Sequence, residues 1–174
     1  MSLQIDQSGK IEETATSSVL GASNLIKASV YISGREKRKL QERFRRIGKP
    51  RLFRNMVFSS LLYFLVKRLD GSLVVDIEYA GHTREIEYLV KLYLGKNANL
   101  TWKLIGKSSP AHDLAYKVKI GKIKPDKIIT AENVINLITK KAGGYLKIGL
   151  SPTNRYSGPG SVRKSIPKKH KKSR

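Results

Sequence analysis

The segment LVVDIEYA, Leu73–Ala80, reads as a buried β-strand with two carboxylates pointing the same way. Strand side chains alternate, so Leu73, Val75, Ile77 and Tyr79 share one face, and Val74, Asp76, Glu78 and Ala80 share the other. Aspartate is disfavoured in strands and glutamate mildly so. Two acids on one face of an otherwise apolar strand therefore require a cause. One is a divalent cation held between them. The other is an edge strand whose second face is wet.

The flanks place this strand in an α/β pattern. Before it, Leu52–Leu69 carries Phe53, Met56, Val57, Ser60, Leu61 and Phe64 on a broad helical stripe, and Asp70-Gly71 makes a turn. After it, His82–Leu94 repeats Ile86, Leu89, Val90 and Tyr93 at helical spacing, and Gly95 closes that helix. Leu100–Ile105 is the next strand. Strand, helix and strand in this order predict a parallel pair joined by a right-handed crossover.

Towards the N-terminus, Ser2–Gly9, Thr14–Ser23 and Leu25–Ser33 read as a three-stranded antiparallel meander, with Asn24 in a tight turn. Arg35–Ile47 follows as a helix with Leu40, Phe44 and Ile47 on one side, broken by Gly48-Lys49-Pro50. Towards the C-terminus, Ser109 caps a helix beginning at Pro110, and Ala111, Leu114, Ala115 and Val118 form its packing face. Lys122–Lys127 reads as a loop. A last helix runs from Thr130 to about Lys141 and is broken by Gly143-Gly144, and Tyr145–Leu150 is a short strand or irregular. Residues 151–174 lack periodicity and carry Pro152, Pro159 and Pro167. The expectation is one α/β domain over residues 1–150 and a flexible, disordered basic tail over 151–174.

The chain has 35 Lys+Arg against 13 Asp+Glu, a formal charge of +22, well beyond what solubility needs. Such a balance points to an anionic partner, first of all nucleic acid, RNA or DNA, whose released counterions supply affinity. An anionic membrane surface is the weaker alternative. The charge is concentrated. Residues 35–54 hold ten Lys/Arg and two Glu, and residues 155–174 hold eight Lys/Arg and no acid. Candidate backbone contacts are Arg35, Lys37, Arg38, Lys39, Arg43, Arg45, Arg46, Lys49, Arg51 and Lys107. The tail adds Arg163, Lys164, Lys168, Lys169, Lys171 and Lys172. A solvated helix face and a solubilising tail are the structural alternatives.

The absence of cysteine excludes disulfides and thiolate zinc sites, and His82, His112 and His170 are scattered. No phosphate-loop, Ser-His-Asp or zinc pattern is present. The first ten residues lack the basic and apolar regions of a secretory signal, and Met56–Val66 is too short to span a bilayer. A soluble, cytoplasmic protein without membrane partners is expected.

In so basic a chain the acids within ordered elements stand out: Asp6 on the first strand, Asp76 and Glu78 on the fourth, and Asp113 on the helix after the fifth. The IDQSG stretch (Ile5–Gly9), VVDIE (Val74–Glu78) and SPAHDLAYKV (Ser109–Val118), set in a meander followed by alternating helices and strands, resemble the RNase H-like nuclease superfamily. The resemblance covers Ser2–Ala142. It implies a mixed sheet of about five strands, the meander plus parallel strands, flanked by helices. It also implies catalytic carboxylates holding two Mg²⁺ or Mn²⁺ ions about 4 Å apart, oxygen-ligated as hard cations require. Asp6 would bridge the metals, Asp76 or Glu78 would complete the pair, and Asp113 would hold the second ion, with Lys107 or His112 orienting a phosphate or water. The RNase H enzymes carry a glutamate on the first helix, where Glu36 and Glu42 read as surface ion pairs. Glu78 is similar to the glutamate of the resolvase-like branch. Each acid has a structural alternative as well: Asp6 as a turn cap, and Asp113 as a carboxylate favoured by the helix dipole. The functional expectation is a metal-dependent endonuclease. The alternatives are a non-catalytic nucleic-acid-binding protein, for example a ribosome-associated one, and a basic adaptor.

Overall fold

The computed structural model describes residues 2–24, 26–67, 69, 71–95 and 99–148. The basic tail of 151–174, with Arg163, Lys164, Lys168, Lys169, Lys171 and Lys172, lies outside the described residues. The elements in order are β1 Leu3–Ser8, β2 Ser18–Ser23, β3 Ala28–Ile32, α1 Gly34–Arg46, α2 Phe53–Val66, β4 Leu73–Asp76, α3 Thr83–Leu94, β5 Leu100–Lys103, α4 Pro110–Lys119, β6 Lys127–Ile129 and α5 Ala131–Ile148. A 3₁₀ turn, Pro50–Leu52, joins α1 to α2.

The strands form one mixed sheet in the order β5-β4-β1-β2-β3-β6. β1, β2 and β3 make the antiparallel meander; β1–β4, β4–β5 and β3–β6 are parallel. The sequence pattern anticipated the meander and the parallel β4–β5 pair. It missed β6, which is three residues long and flanks the expected loop, too short for an alternating pattern to register.

The two faces of the sheet differ in cover. Leu3, Ile5, Leu20, Ala22, Val30, Ile32, Leu73 and Val75 point into a continuous core with Leu40 and Phe44 of α1, the apolar residues of α2 and α3, and Val134, Leu137 and Ile138 of α5. On the other face α4 packs on β1–β3, with Val19, Leu114, Ala115 and Val118 forming a small separate cluster. Gly21 permits this approach, because a Cβ there would stand 2.9 Å from Ala115 N and 3.0 Å from Ala111 O.

Several boundaries depart from expectation. β2 starts at Ser18 because residues 10–17 form a loop pinned by the buried Lys37. The Lys37 ammonium donates to Lys10 O (2.8 Å), Glu13 O (2.8 Å) and Ser18 Oγ (2.7 Å). β4 ends at Asp76 and not at Ala80: Ile77 N still reaches Lys103 O, but Glu78 N turns back to Asp76 O. β5 stops at Lys103 because the Ile105 N–H is taken by the Asp76 carboxylate. α5 continues through Gly143-Gly144 with a kink at Ala142, so Tyr145–Ile148 lie in a helix and not in a strand. No helix among the described residues is long and apolar enough to cross a membrane.

Candidate metal centre

β1 and β4 are adjacent and parallel, with Ile5 opposite Val75, so Asp6 and Asp76 emerge side by side on the α4 face. Glu78 is carried back to them by the bend after β4. One ligand oxygen from each of Asp6, Asp76 and Glu78 lies within 4.8 Å of the other two. The expected convergence of β1 and β4 acids is thus present, although Glu78 arrives from a bend and not from the strand itself.

This grouping is electrostatically costly when all three groups are ionised. Asp6 is buried, and its carboxyl is pushed above the usual range by burial first and by the Asp76 charge next, while His112 pulls the other way. Burial, reinforced by Asp76 and Asp6, raises the Glu78 carboxyl to about 7. A proton or a cation relieves the repulsion. Three converging carboxylates, with no sulfur or thiolate donor, suit a hard divalent cation such as Mg²⁺ or Mn²⁺.

Asp6 is oriented from two sides. Its Oδ1 accepts from Gln7 N at 2.6 Å, and its Oδ2 lies 3.2 Å from His112 Nδ1. His112 reaches that position because α4 sits close over Gly21, the β2 residue paired with Asp6. Asp113 does not join the group. It points outward and pairs with Lys117 one turn on at 2.7 Å, as an exposed i,i+4 ion pair. On a helix, adjacent residues project about 100° apart, so His112 and Asp113 cannot both face the sheet. The structure selects His112.

A residue that sequence reasoning treated as simple core holds the Glu78 segment in place. The Tyr79 ring packs edge-on against Phe58 at 5.2 Å and lies under Arg54 at 4.7 Å. Its hydroxyl accepts from Gln7 Nε2 (3.2 Å) and Ile11 N (3.1 Å) and donates to Glu12 Oε2 (3.3 Å). The bend carrying Glu78 is therefore tied to the β1–β2 loop. No sequence period signals such a link; only the buried hydroxyl, which needs partners, hints at it.

The expected nucleic-acid contacts divide. Arg35, Arg38, Lys39, Arg43, Arg45, Arg46 and Arg51 are exposed on α1 and the turn after it, and Lys107 is exposed on the β5–α4 loop. Lys37 and Lys49 are buried, and the Lys37 ammonium is fully used by internal acceptors, so it is withdrawn from that list. Glu36 bonds Lys39 Nζ and Ala131 N, each at 2.7 Å, and thereby fastens α1 to the start of α5. It does not join the acid group, nor does Glu42. The helix α1 belongs to the core-side layer, across the sheet from α4. No protein-family model, curated protein or solved structure matches the chain.

Proposed function

We propose that the protein is a nucleic-acid-binding nuclease of RNase H-like type, in which Asp6, Asp76 and Glu78 hold Mg²⁺ or Mn²⁺ for phosphodiester hydrolysis. The observation that carries this reading is the convergence of three carboxylates, one of them buried, within 4.8 Å in a chain of charge +22. Acids that serve only solubility have no reason to gather where they repel. The strand order around β1, with β4 and β5 on one side and the meander on the other, supports the same reading.

A bound divalent cation would polarise a phosphoryl oxygen and lower the pKa of a ligated water. The chain's own residues have separate tasks. Asp6 and Asp76, from adjacent strands, set the centre on rigid backbone. Glu78 takes or gives up a proton near neutral pH and so adjusts the charge of the set. His112 Nδ1 holds Asp6 Oδ2 in place. Asp113, outside the group, supplies nothing to a second ion.

The test is cleavage of labelled RNA, DNA, hybrid and junction substrates with Mg²⁺ or Mn²⁺. Cleavage that disappears in Asp6→Asn and in Asp76→Asn supports the reading. Equal activity in both variants removes these carboxylates from the chemistry. A second reading, a non-catalytic nucleic-acid-binding protein, is favoured by one observation: the densest described basic element, α1, lies across the sheet from the acids. Tight binding of nucleic acid with no cleavage of any of the four substrates decides for it.

A further inference from the structure

α4 packs over β1, β2 and β3 on the acid-bearing face, and among the described residues no helix packs over β4 and β5 there. Thr101 and Lys103 of β5 are consequently exposed. A groove of about 410 Å³ runs over this part of the sheet. Gln4 and Val74 line it, two residues before Asp6 and Asp76 on the same faces of their strands. Lys103, Ile105, Ser108 and Ser109 line it too.

Two residues of the groove wall, Lys103 and Ile105, adjoin Asp76. Lys103 is the register partner of Asp76, so its side chain flanks that carboxylate on the same face. The Ile105 N–H donates to Asp76 Oδ1, which fastens the loop after β5 to one of the acids. Ser109 caps α4 by accepting from His112 N at 3.0 Å, one turn from the imidazole that contacts Asp6. Leu104, 82% exposed, projects from the same loop, with Lys103 before it and exposed Lys107 beyond.

We infer that this groove is the track for one unpaired strand of nucleic acid, delivering its backbone to Asp6, Asp76 and Glu78; the inference rests on the nuclease reading and specifies its substrate. Charge complementarity selects the occupant. Lys103 and Lys107 offer cations for phosphates, Ser108 offers a hydroxyl donor, and Leu104 offers an apolar contact for sugars or bases. A cleft of about 410 Å³ between the first turn of α4 and the β4–β5 face is of small-ligand size, which suits one extended strand laid along it and not a duplex. The strand therefore enters from a single-stranded region, a frayed end or a branch. Among the described residues the lining holds one lysine, Lys103, the hydroxyls of Ser108 and Ser109 and the amides of Gln4 and Asn24, and Lys107 stands exposed on the same loop.

The experiment measures fluorescence anisotropy of a labelled 12-nucleotide oligo-dT and a labelled 12-base-pair duplex, both in EDTA, so that binding is read without metal or cleavage. Three full-chain variants are compared: Lys103→Glu/Lys107→Glu, Ser108→Trp, and Arg45→Glu/Arg46→Glu on the opposite side of the sheet. Tenfold or greater loss of oligo-dT affinity in the first two, with duplex affinity within twofold of wild type, supports the groove. The double lysine variant should also reduce the salt slope for the single strand by about 1.4, two contacts at roughly 0.7 each. Oligo-dT affinity unchanged in both groove variants, or lost only in Arg45→Glu/Arg46→Glu, overturns it. Thermal melts equal to wild type are expected for Ser108→Trp and Arg45→Glu/Arg46→Glu, whose side chains are exposed, and Lys103→Gln/Lys107→Gln repeats the lysine test without adding a carboxylate beside Asp76. A separate Mn²⁺ titration of the wild type distinguishes the two claims: groove binding with no Mn²⁺ uptake removes the nuclease reading alone, and Mn²⁺ uptake with unaltered groove variants removes the strand track alone.

Discussion

The two faces of this sheet are built by opposite rules. On one, four helices bury an unbroken apolar layer in which Ile5, Ile32, Leu40, Met56, Leu61, Leu89 and Val134 are fully enclosed. On the other, α4 alone among the described helices covers the meander side, and the places where apolar residues would stand are taken by Asp6, Asp76 and the returning Glu78. Burial stabilises the first face by about 25 cal/mol per Å² of apolar surface removed from water. The second face spends part of that stability on unfavourable charge. Under the proposed reading, the acid-bearing face is the one left open for a ligand.

The sharpest way to break this contrast is to remove an acid. Asp6→Asn and Asp76→Asn should each lower metal-dependent cleavage by about a thousandfold or more, while metal-free thermal stability stays near wild type, because both variants keep oxygen acceptors for Gln7 N and Ile105 N. Single-turnover cleavage beside a melt in EDTA reads both quantities.

On the packed side, Lys37→Met should cost about 1–3 kcal/mol in urea unfolding. It removes three charge-assisted bonds at once and leaves Lys10 O with Ser18 Oγ (3.0 Å) and Glu13 O with Thr16 N (3.3 Å) as their remaining partners. An unchanged midpoint would show that water replaces the ammonium.

At the boundary between the faces, Gly21→Val should cost about 1–3 kcal/mol, because the new Cβ meets α4 backbone at 2.9–3.0 Å. Its added effect is on the centre: α4 retreats and His112 leaves Asp6. Cleavage should therefore fall more in Gly21→Val than in a core variant of equal stability loss such as Ile129→Val.

The smallest effect is a pH dependence. The folded Asp6 and Glu78 carboxyls lie above their unfolded values, Glu78 at about 7 against 4.5. The Glu78 contribution to stability is thus full below 4.5 and lost as pH rises through about 7, and Asp6 adds a loss of the same sign. Metal-free protein should lose about 1–2 kcal/mol between pH 4.5 and 8 from these groups, allowing for the partial exposure of Glu78. Glu78→Gln should flatten that slope in denaturant melts. An identical slope would place the titration elsewhere.

Much of this contrast was legible in the sequence. The alternation of LVVDIEYA placed Val75 and Asp76 on opposite faces, and apolar stripes placed α2 and α3 on the core side. Asp6, Asp76 and Glu78 were found as acids out of place in a basic chain. Other features were not legible, because they depend on angles and distances that composition does not encode. The choice between His112 and Asp113 turns on one step of helix rotation, set by how closely α4 lies on Gly21. Lys37 reads as one more cation in a basic run, yet its ammonium meets three acceptors supplied by a loop some twenty residues earlier. The end of β5 at Lys103 follows from the Asp76 side chain capturing the Ile105 N–H, a competition that no propensity scale contains.

Calorimetric titration of the intact chain with Mn²⁺ at pH 8 and pH 5 tests the acid centre without presuming a substrate. Saturable binding at pH 8, weaker at pH 5 where Glu78 is protonated, and absent in Asp6→Asn/Asp76→Asn is the expected result. Binding that is absent at both pH values in the wild type, or that survives intact in the double variant, would contradict a metal centre at Asp6, Asp76 and Glu78.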